Sequence, residues 1–285
     1  MTEPAAHVDS PVACGASPPL SGAVLSPGGH QVNVAGHPAA RLGDLCDCAP
    51  FHESALVEGS ATILINGLPA ARLGSATADG GSVVKGEPSV QFGGPTFSMP
   101  SFITVVGSPE FRLAVYRNLM LIMSTRSGKL WTESMRSTGK RVTIKQQEDG
   151  RSPEARTDPY LPEDKGYIRD QGFHRNDLRA YDGTGVDSTI YYDPARHEDD
   201  QLFHEMVHAD DMAHGTLDTK WCDNPGGDRE RVPCGEVRAT GTGKYADTTK
   251  YPFSQNTYRR ERGKEPKPSY GPQPKPDAAD PADPK

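Results

Sequence analysis

The hexapeptide Pro38-Ala39-Ala40-Arg41-Leu42-Gly43 returns unchanged thirty-one residues later as Pro69-Ala70-Ala71-Arg72-Leu73-Gly74, and an internal repeat restricts the fold before any single residue does. Each copy follows a short alternating segment, Gln31-Val32-Asn33-Val34 before the first and Thr62-Ile63-Leu64-Ile65-Asn66 before the second. A third strand-like unit, Val83 to Gly94, matches Leu56 to Gly67 in outline. Strands this short cannot bury a core singly. Three of them, separated by Gly/Pro turns, must wrap about a shared axis, which predicts a compact three-sided all-β domain.

The chain has 285 residues, room for two modest domains. Its 30 Gly, 26 Pro and 34% apolar residues predict much turn and loop. The net charge of -7 is unclustered, which excludes a nucleic-acid footprint or an anionic-lipid surface. Met1 to Ser10 lacks the basic and apolar regions of a secretory signal, and no stretch approaches the roughly 20 apolar residues of a bilayer span. The expectation is cytoplasmic synthesis without a signal peptide, no stable membrane insertion, and export, if any, by another machine. Five cysteines cannot all pair internally. Cys222 and Cys234 bracket a Pro/Gly-rich loop and read either as a disulfide or as two buried thiols.

The doubled Pro-Ala-Ala-Arg element in its repeat context, over roughly Val12 to Gly94, resembles the PAAR family, conical tip proteins that cap the spike of the type VI secretion system. The resemblance implies a conical three-sided β domain over residues 1–96, a spike trimer as partner at its base, and a metal near its point. Carried through the repeat, the metal-holding turns fall at Cys14, at Cys48 with His52, and at Asp79. Two thiolates, an imidazole and a carboxylate would give Zn²⁺ a closed structural site, with Cys46, His30 and His37 as competitors.

After Gly94 the composition changes. Phe111 to Met123 is apolar and helix-like, and Gln146 to Lys165 is charged and contains Pro, so residues 97–165 read as a connecting region. Residues 263–285, rich in Pro, Asp and Lys, read as a disordered tail. Between them, residues 166–262 hold the chemistry.

The segment from Leu202 to Gly215 contains His204-Glu205-Met206-Val207-His208. As a helix it begins beside the acidic run Glu198-Asp199-Asp200 and stops at Gly215, both suited to those ends. Residues four apart share a face, so both imidazoles can bind one Zn²⁺ while Glu205, one step round, reaches its water. Upstream, Ser188-Thr189-Ile190-Tyr191-Tyr192 reads as an edge strand able to hold an extended substrate. A third protein ligand is needed. Glu236, twenty-eight residues past His208, is favoured, with His214 and Asp211 as alternatives.

Tyr192-Asp193-Pro194, His204 to Ala209, Glu236-Val237-Arg238-Ala239 and Gln255-Asn256-Thr257-Tyr258-Arg259 resemble the NleD-type effector zinc metallopeptidases, over roughly Gly183 to Tyr270. The resemblance implies an α+β zincin-like domain with catalytic zinc, in which a downstream glutamate and an Asn-x-x-Arg-type element accompany the metal helix; Gln255 departs from a more usual acidic residue. Chemically, zinc acidifies a bound water and Glu205 takes its proton as general base. Tyr258 or Tyr245 is the candidate donor to the developing oxyanion. The two halves together predict a type VI effector whose tip delivers a metallopeptidase toxin into a target cell, against a protein or peptide substrate and with a cognate immunity protein. The alternatives are a structural tip or adaptor protein with a non-catalytic second domain, and a zinc amidase acting on cell-wall peptides.

Overall fold

The structure, a computed structural model, describes residues 2–15, 21–25, 27–48, 52–147, 155–159, 178–227 and 229–271. The chain forms two compact units that divide between Met120 and Leu121. The first contains β1 (Glu3–Ala5), β2 (Pro11–Ala13), β3 (Ser21–Val24), β4 (Gly29–Val34), β5 (His37–Ala39), β6 (Leu45–Cys48), β7 (His52–Ala55), β8 (Glu58–Ser60), β9 (Leu64–Ile65), β10 (Leu68–Pro69), β11 (Ser82–Val83), β12 (Glu87–Phe92), β13 (Thr96–Ser98) and β14 (Ile103–Val106). The division falls within α1 (Pro109–Ser124). No helix of the described residues is long and apolar enough to cross a membrane.

The first unit is organised by three copies of one turn. Pro4-Ala5-Ala6-His7 precedes the two copies evident in the sequence, and the three alanine pairs close a ring of backbone hydrogen bonds. Ala40 N donates to Ala6 O (2.9 Å), Ala71 N to Ala40 O (2.9 Å) and Ala6 N to Ala71 O (3.0 Å). A second ring runs parallel to it: Val8 N to Pro38 O, Leu42 N to Pro69 O and Leu73 N to Pro4 O, each 2.8 Å. Ala5, Ala6, Ala39, Ala40, Ala70 and Ala71 are all fully buried, because only a methyl group leaves room for three backbones to meet. In each copy the side chain three residues on caps the turn: Ser10 Oγ accepts from His7 N, Asp44 Oδ2 from Arg41 N and Ser75 Oγ from Arg72 N.

The third copy of the turn is therefore Pro4–Ser10 rather than the Val83–Gly94 unit. It escapes the repeat pattern because His7 replaces the arginine and Asp9 replaces the glycine. Asp9 nonetheless holds the left-handed backbone of its counterparts (φ 71°, against 89° at Gly43 and 83° at Gly74), a conformation Asp tolerates better than most residues. Strands β11-β2-β3-β6-β7 form an antiparallel sheet in that order, and Val83, in β11, packs in the same cluster as Ala6, Ala40 and Ala71.

The second unit contains α2 (Arg126–Thr138), β15 (Val142–Gln146), β16 (Arg156–Pro159), β17 (Ser188–Tyr192), α3 (Asp199–His214), β18 (Trp221–Asp223), β19 (Arg231–Pro233), α4 (Cys234–Thr240) and α5 (Gln255–Glu261). Strand β17 pairs in parallel with β15 on one side and antiparallel with β16 on the other. It is thus an interior strand, not the edge its sequence predicts, because β16 emerges from the supposed linker to cover it. The connecting region of residues 97–165 likewise supplies α2 and β15 to this unit. Trp131 of α2 is fully buried and donates Nε1–H to Met206 O at 2.6 Å, which ties α2 to the middle of α3. Helix α3 is buried from Leu202 to Ala213, so its polar residues face protein rather than water. The region read as a tail is ordered through Gly271, with Ser269 buried; residues 272–285 lie outside the described residues.

Candidate metal centre and catalytic cleft

Both ends of α3 are fixed by local chemistry. Glu198 and Gln201 form a reciprocal capping box at the start, and Gly215, at φ 68°, closes the end. One turn apart on this helix, His204 Nε2 and His208 Nε2 lie 3.2 Å from each other. Glu236 Oε2 sits 3.0 Å from the first and 3.2 Å from the second. Three ligand-type atoms thus converge on one point, and the set His204, His208 and Glu236 could hold a metal ion. With both Nε2 atoms unprotonated, as metal ligation requires, three lone-pair atoms at this spacing repel one another unless a cation lies between them. The electrostatics agree: burial works to lower the His208 pKa, but the Glu236 carboxylate overrides it and raises the value to about 9. Burial opposes ionisation of Glu236, yet the two histidines hold its carboxyl well below the usual range. The donor set therefore fits a divalent cation such as zinc.

Glu236 reaches this point through dedicated anchors. Strands β18 and β19 pair as a hairpin, and the Cys222–Cys234 disulfide ties that hairpin to the first residue of α4. Cys234 N and Gly235 N donate to Lys220 O and Asp218 O. Gly235 allows α4 to come close: a Cβ there would meet Asp218 O at 3.3 Å and His208 Cε1 at 3.7 Å. Arg238 then pairs with Asp211 of α3 at 3.7 Å and donates to Phe253 O at 2.8 Å.

The His204 ring is oriented from behind. Its Nδ1–H donates to Gln255 Oε1 at 3.2 Å, which leaves Nε2 with a lone pair for a metal. Gln255 Nε2 donates to Asp200 Oδ2 at 2.9 Å, which decides the end of the amide that faces the histidine. Burial opposes ionisation of Asp200, but Arg259, at 2.6 Å, and Lys264 hold it below its ordinary value. The Tyr270 ring stacks on His204 with centroids 5.6 Å apart. Glu205 opens on a cleft of about 500 Å³ that His204, Gln255, Arg259, Lys267 and Tyr270 also line. Thr157 of β16 donates to Glu205 Oε2 at 2.8 Å and thereby orients the carboxylate.

Several sequence expectations need correction. Tyr258 is fully buried and donates to Asp199 Oδ2, so it secures the start of α3 and does not line the cleft. Tyr245 donates to Asp218 Oδ2 at 2.8 Å, under α4. His214 Nδ1 turns back to Asp210 O at 3.0 Å, and Asp211 is taken by Arg238, so neither joins the centre. In the first unit Cys14 and Cys48 are joined by a disulfide. Sulfurs in that bond carry no thiolate charge, whereas the same two cysteines as free thiolates form, with Asp79, a group that could hold a metal ion. Asp79 does lie beside them, where Ser54 Oγ and Gly15 N donate to it; the His52 side chain is outside the described residues. Burial and the nearby Asp79 and Asp44 push the free thiol of Cys46 up to about 12. Sequence reasoning missed Tyr270 and Lys267, whose signal was hidden in a stretch with the composition of a tail, and Thr157, which sits in the supposed linker.

Comparison with known proteins gives the class first: residues 99–270 match the family model described as an effector protein of the Peptidase_M91 type, and residues 15–85 match the PAAR motif. The first match spans more than half of the sequence, and the chain belongs to the Peptidase_M91 family, with a PAAR motif ahead of the peptidase domain. No curated protein matches. Among solved structures, the botulinum neurotoxin serotype HA light chain is similar at 12% identity and a TM-score of 0.34, over 55% of this chain and 50% of that one. The chain thus spans about half the length of that light chain.

Proposed function

We propose that the second unit is a zinc-dependent endopeptidase of zincin type, and that the PAAR unit carries it as the tip of a type VI secretion spike into a target cell. The convergence of His204 Nε2, His208 Nε2 and Glu236 Oε2 within 3.0 to 3.2 Å of one another carries the reading. These three residues would hold a zinc ion, which would supply Lewis acidity toward a peptide carbonyl and the attacking water. Glu205, aimed at the cleft by Thr157, accepts the proton of that water and passes it to the leaving amine. Gln255 keeps His204 in the tautomer that offers Nε2. Tyr270, stacked on His204, excludes water from one face of the site, and β16 flanks α3 where an extended peptide can lie along it.

The closed rings in the first unit support the other half of the reading, since a pseudo-threefold unit presents equivalent faces to a trimer. A chain of this kind needs a neutralising immunity protein in the cell that makes it, and a protein or peptide substrate in the cell that receives it.

The test is zinc content and peptide cleavage by the full chain. Wild type should hold zinc in the second unit and cleave; His204→Ala should lose that zinc; Glu205→Ala should keep zinc, keep the fold and lose cleavage. A wild-type chain that retains no zinc refutes the reading.

A further inference from the structure

One wall of the cleft is an irregular segment, residues 264–271, held by side chains rather than by a sheet. Asn256 clamps it at Lys267, with Nδ2 donating to Lys267 O at 2.8 Å and Oδ1 accepting from Lys267 N at 2.7 Å. Asn224 makes the same two-point contact with Tyr270, at 3.0 and 2.9 Å, and Arg259 Nε donates to Glu265 O at 2.7 Å. These clamps fix the backbone on both sides of Lys267, which lines the same cleft as His204 and Glu205.

The other cations nearby are already committed. Arg259 pairs with Asp200, and Lys264 with Glu198, Asp199 and Asp200. Lys267 differs: among the described residues no carboxylate comes within ion-pair distance of its ammonium, although the residue is partly buried. Its sequence neighbour Glu265 is exposed. Burial draws the Lys267 pKa down, with Asp200 opposing and Arg259 assisting. An ammonium withdrawn from water without a partner is costly to a fold, and an incoming carboxylate relieves that cost where the desolvation has already occurred.

We propose that Lys267 forms a subsite for a negatively charged side chain, so that the substrate is a polypeptide with Asp or Glu close to the bond that is cut. This inference rests on the peptidase reading above. The probes are two matched pairs of peptide hydroxamates, Glu against Gln, one pair extending from the amino side of the metal-binding group and the other from the carboxyl side. Each is titrated calorimetrically into the full chain after its zinc content has been measured. The Glu probe of one pair should bind about tenfold more tightly than its Gln partner, about 1.4 kcal/mol. Lys267→Met should abolish that preference at unchanged zinc content and melting temperature, and Lys267→Arg should retain it. Equal affinities within both pairs, or a preference that survives in Lys267→Met, overturn the inference while leaving the peptidase reading intact. Absence of zinc from the wild-type chain overturns both.

Discussion

The two units solve the same problem, how to bury backbone, in opposite ways. In the first, three short turns meet at a bundle of alanines, and the rings of backbone hydrogen bonds at that meeting do the joining. In the second, large side chains, among them Trp131, Phe203, Tyr192 and Tyr258, are fully buried near a single helix whose polar residues face inward. The contrast separates two uses of sequence. The repeat makes equivalent positions interchangeable in role, as Ser10, Asp44 and Ser75 are. The site gives each working side chain its own anchor: a disulfide for the helix of Glu236, an amide for His204, a threonine for Glu205.

The largest effect that would sharpen this contrast is chemical. Glu205→Gln should lower peptide cleavage by about 10³-fold, within the usual range for losing a general base, and leave zinc content and both thermal transitions of the full chain unchanged. Next, Arg259→Met leaves the buried Asp200 short of a partner and should cost the second unit about 3 kcal/mol, read from denaturant unfolding. The same cluster sets a pH dependence. Asp199 and Asp200 are held below the ordinary 3.8, so their contribution is complete above that value and is lost as the pH falls through and below it. The second unit should melt at lower temperature below pH 4, and Arg259→Met should flatten that fall; an unchanged slope would break the assignment. Ala40→Leu, which overfills the alanine axis, should cost the first unit about 2 kcal/mol and spare the second. Smallest, Gln255→Leu should weaken zinc binding about tenfold, measured by chelator competition, with the His204 tautomer shift followed by nitrogen NMR as the readout that mere loss of packing would not move.

What could be read from the sequence follows the same division. The helix of His204, Glu205 and His208 was legible because spacing, acidic start and glycine stop all lie within one short segment. Glu236 was reachable only through a resemblance and through the need for a third ligand, since nothing local marks a carboxylate that is delivered by a disulfide-tied turn. The repeat was legible twice and hidden once, where His7 and Asp9 keep the geometry but not the letters. Strand β16, Lys267 and Tyr270 were misplaced for a common reason: their segments have the polar, Pro-containing composition of linkers, and they are held by partners far away in sequence, Ile190 for β16 and Asn224 and Asn256 for the cleft wall. Composition reports what a segment can bury by itself, not what the remainder of the chain will supply.

The alanine rings have a kinetic corollary. Every link in them joins two different copies of the turn, the nearest pair being Leu42 and Pro69, so no link can be gained from a local stretch of chain, and the loop-closure entropy falls due before any reward arrives. Assembly of this unit should consequently be slow and all-or-none, with two sides alone no better than an open coil. A partly synthesised chain would then hold no half-built module, and any docking through this unit would wait until the rings had closed.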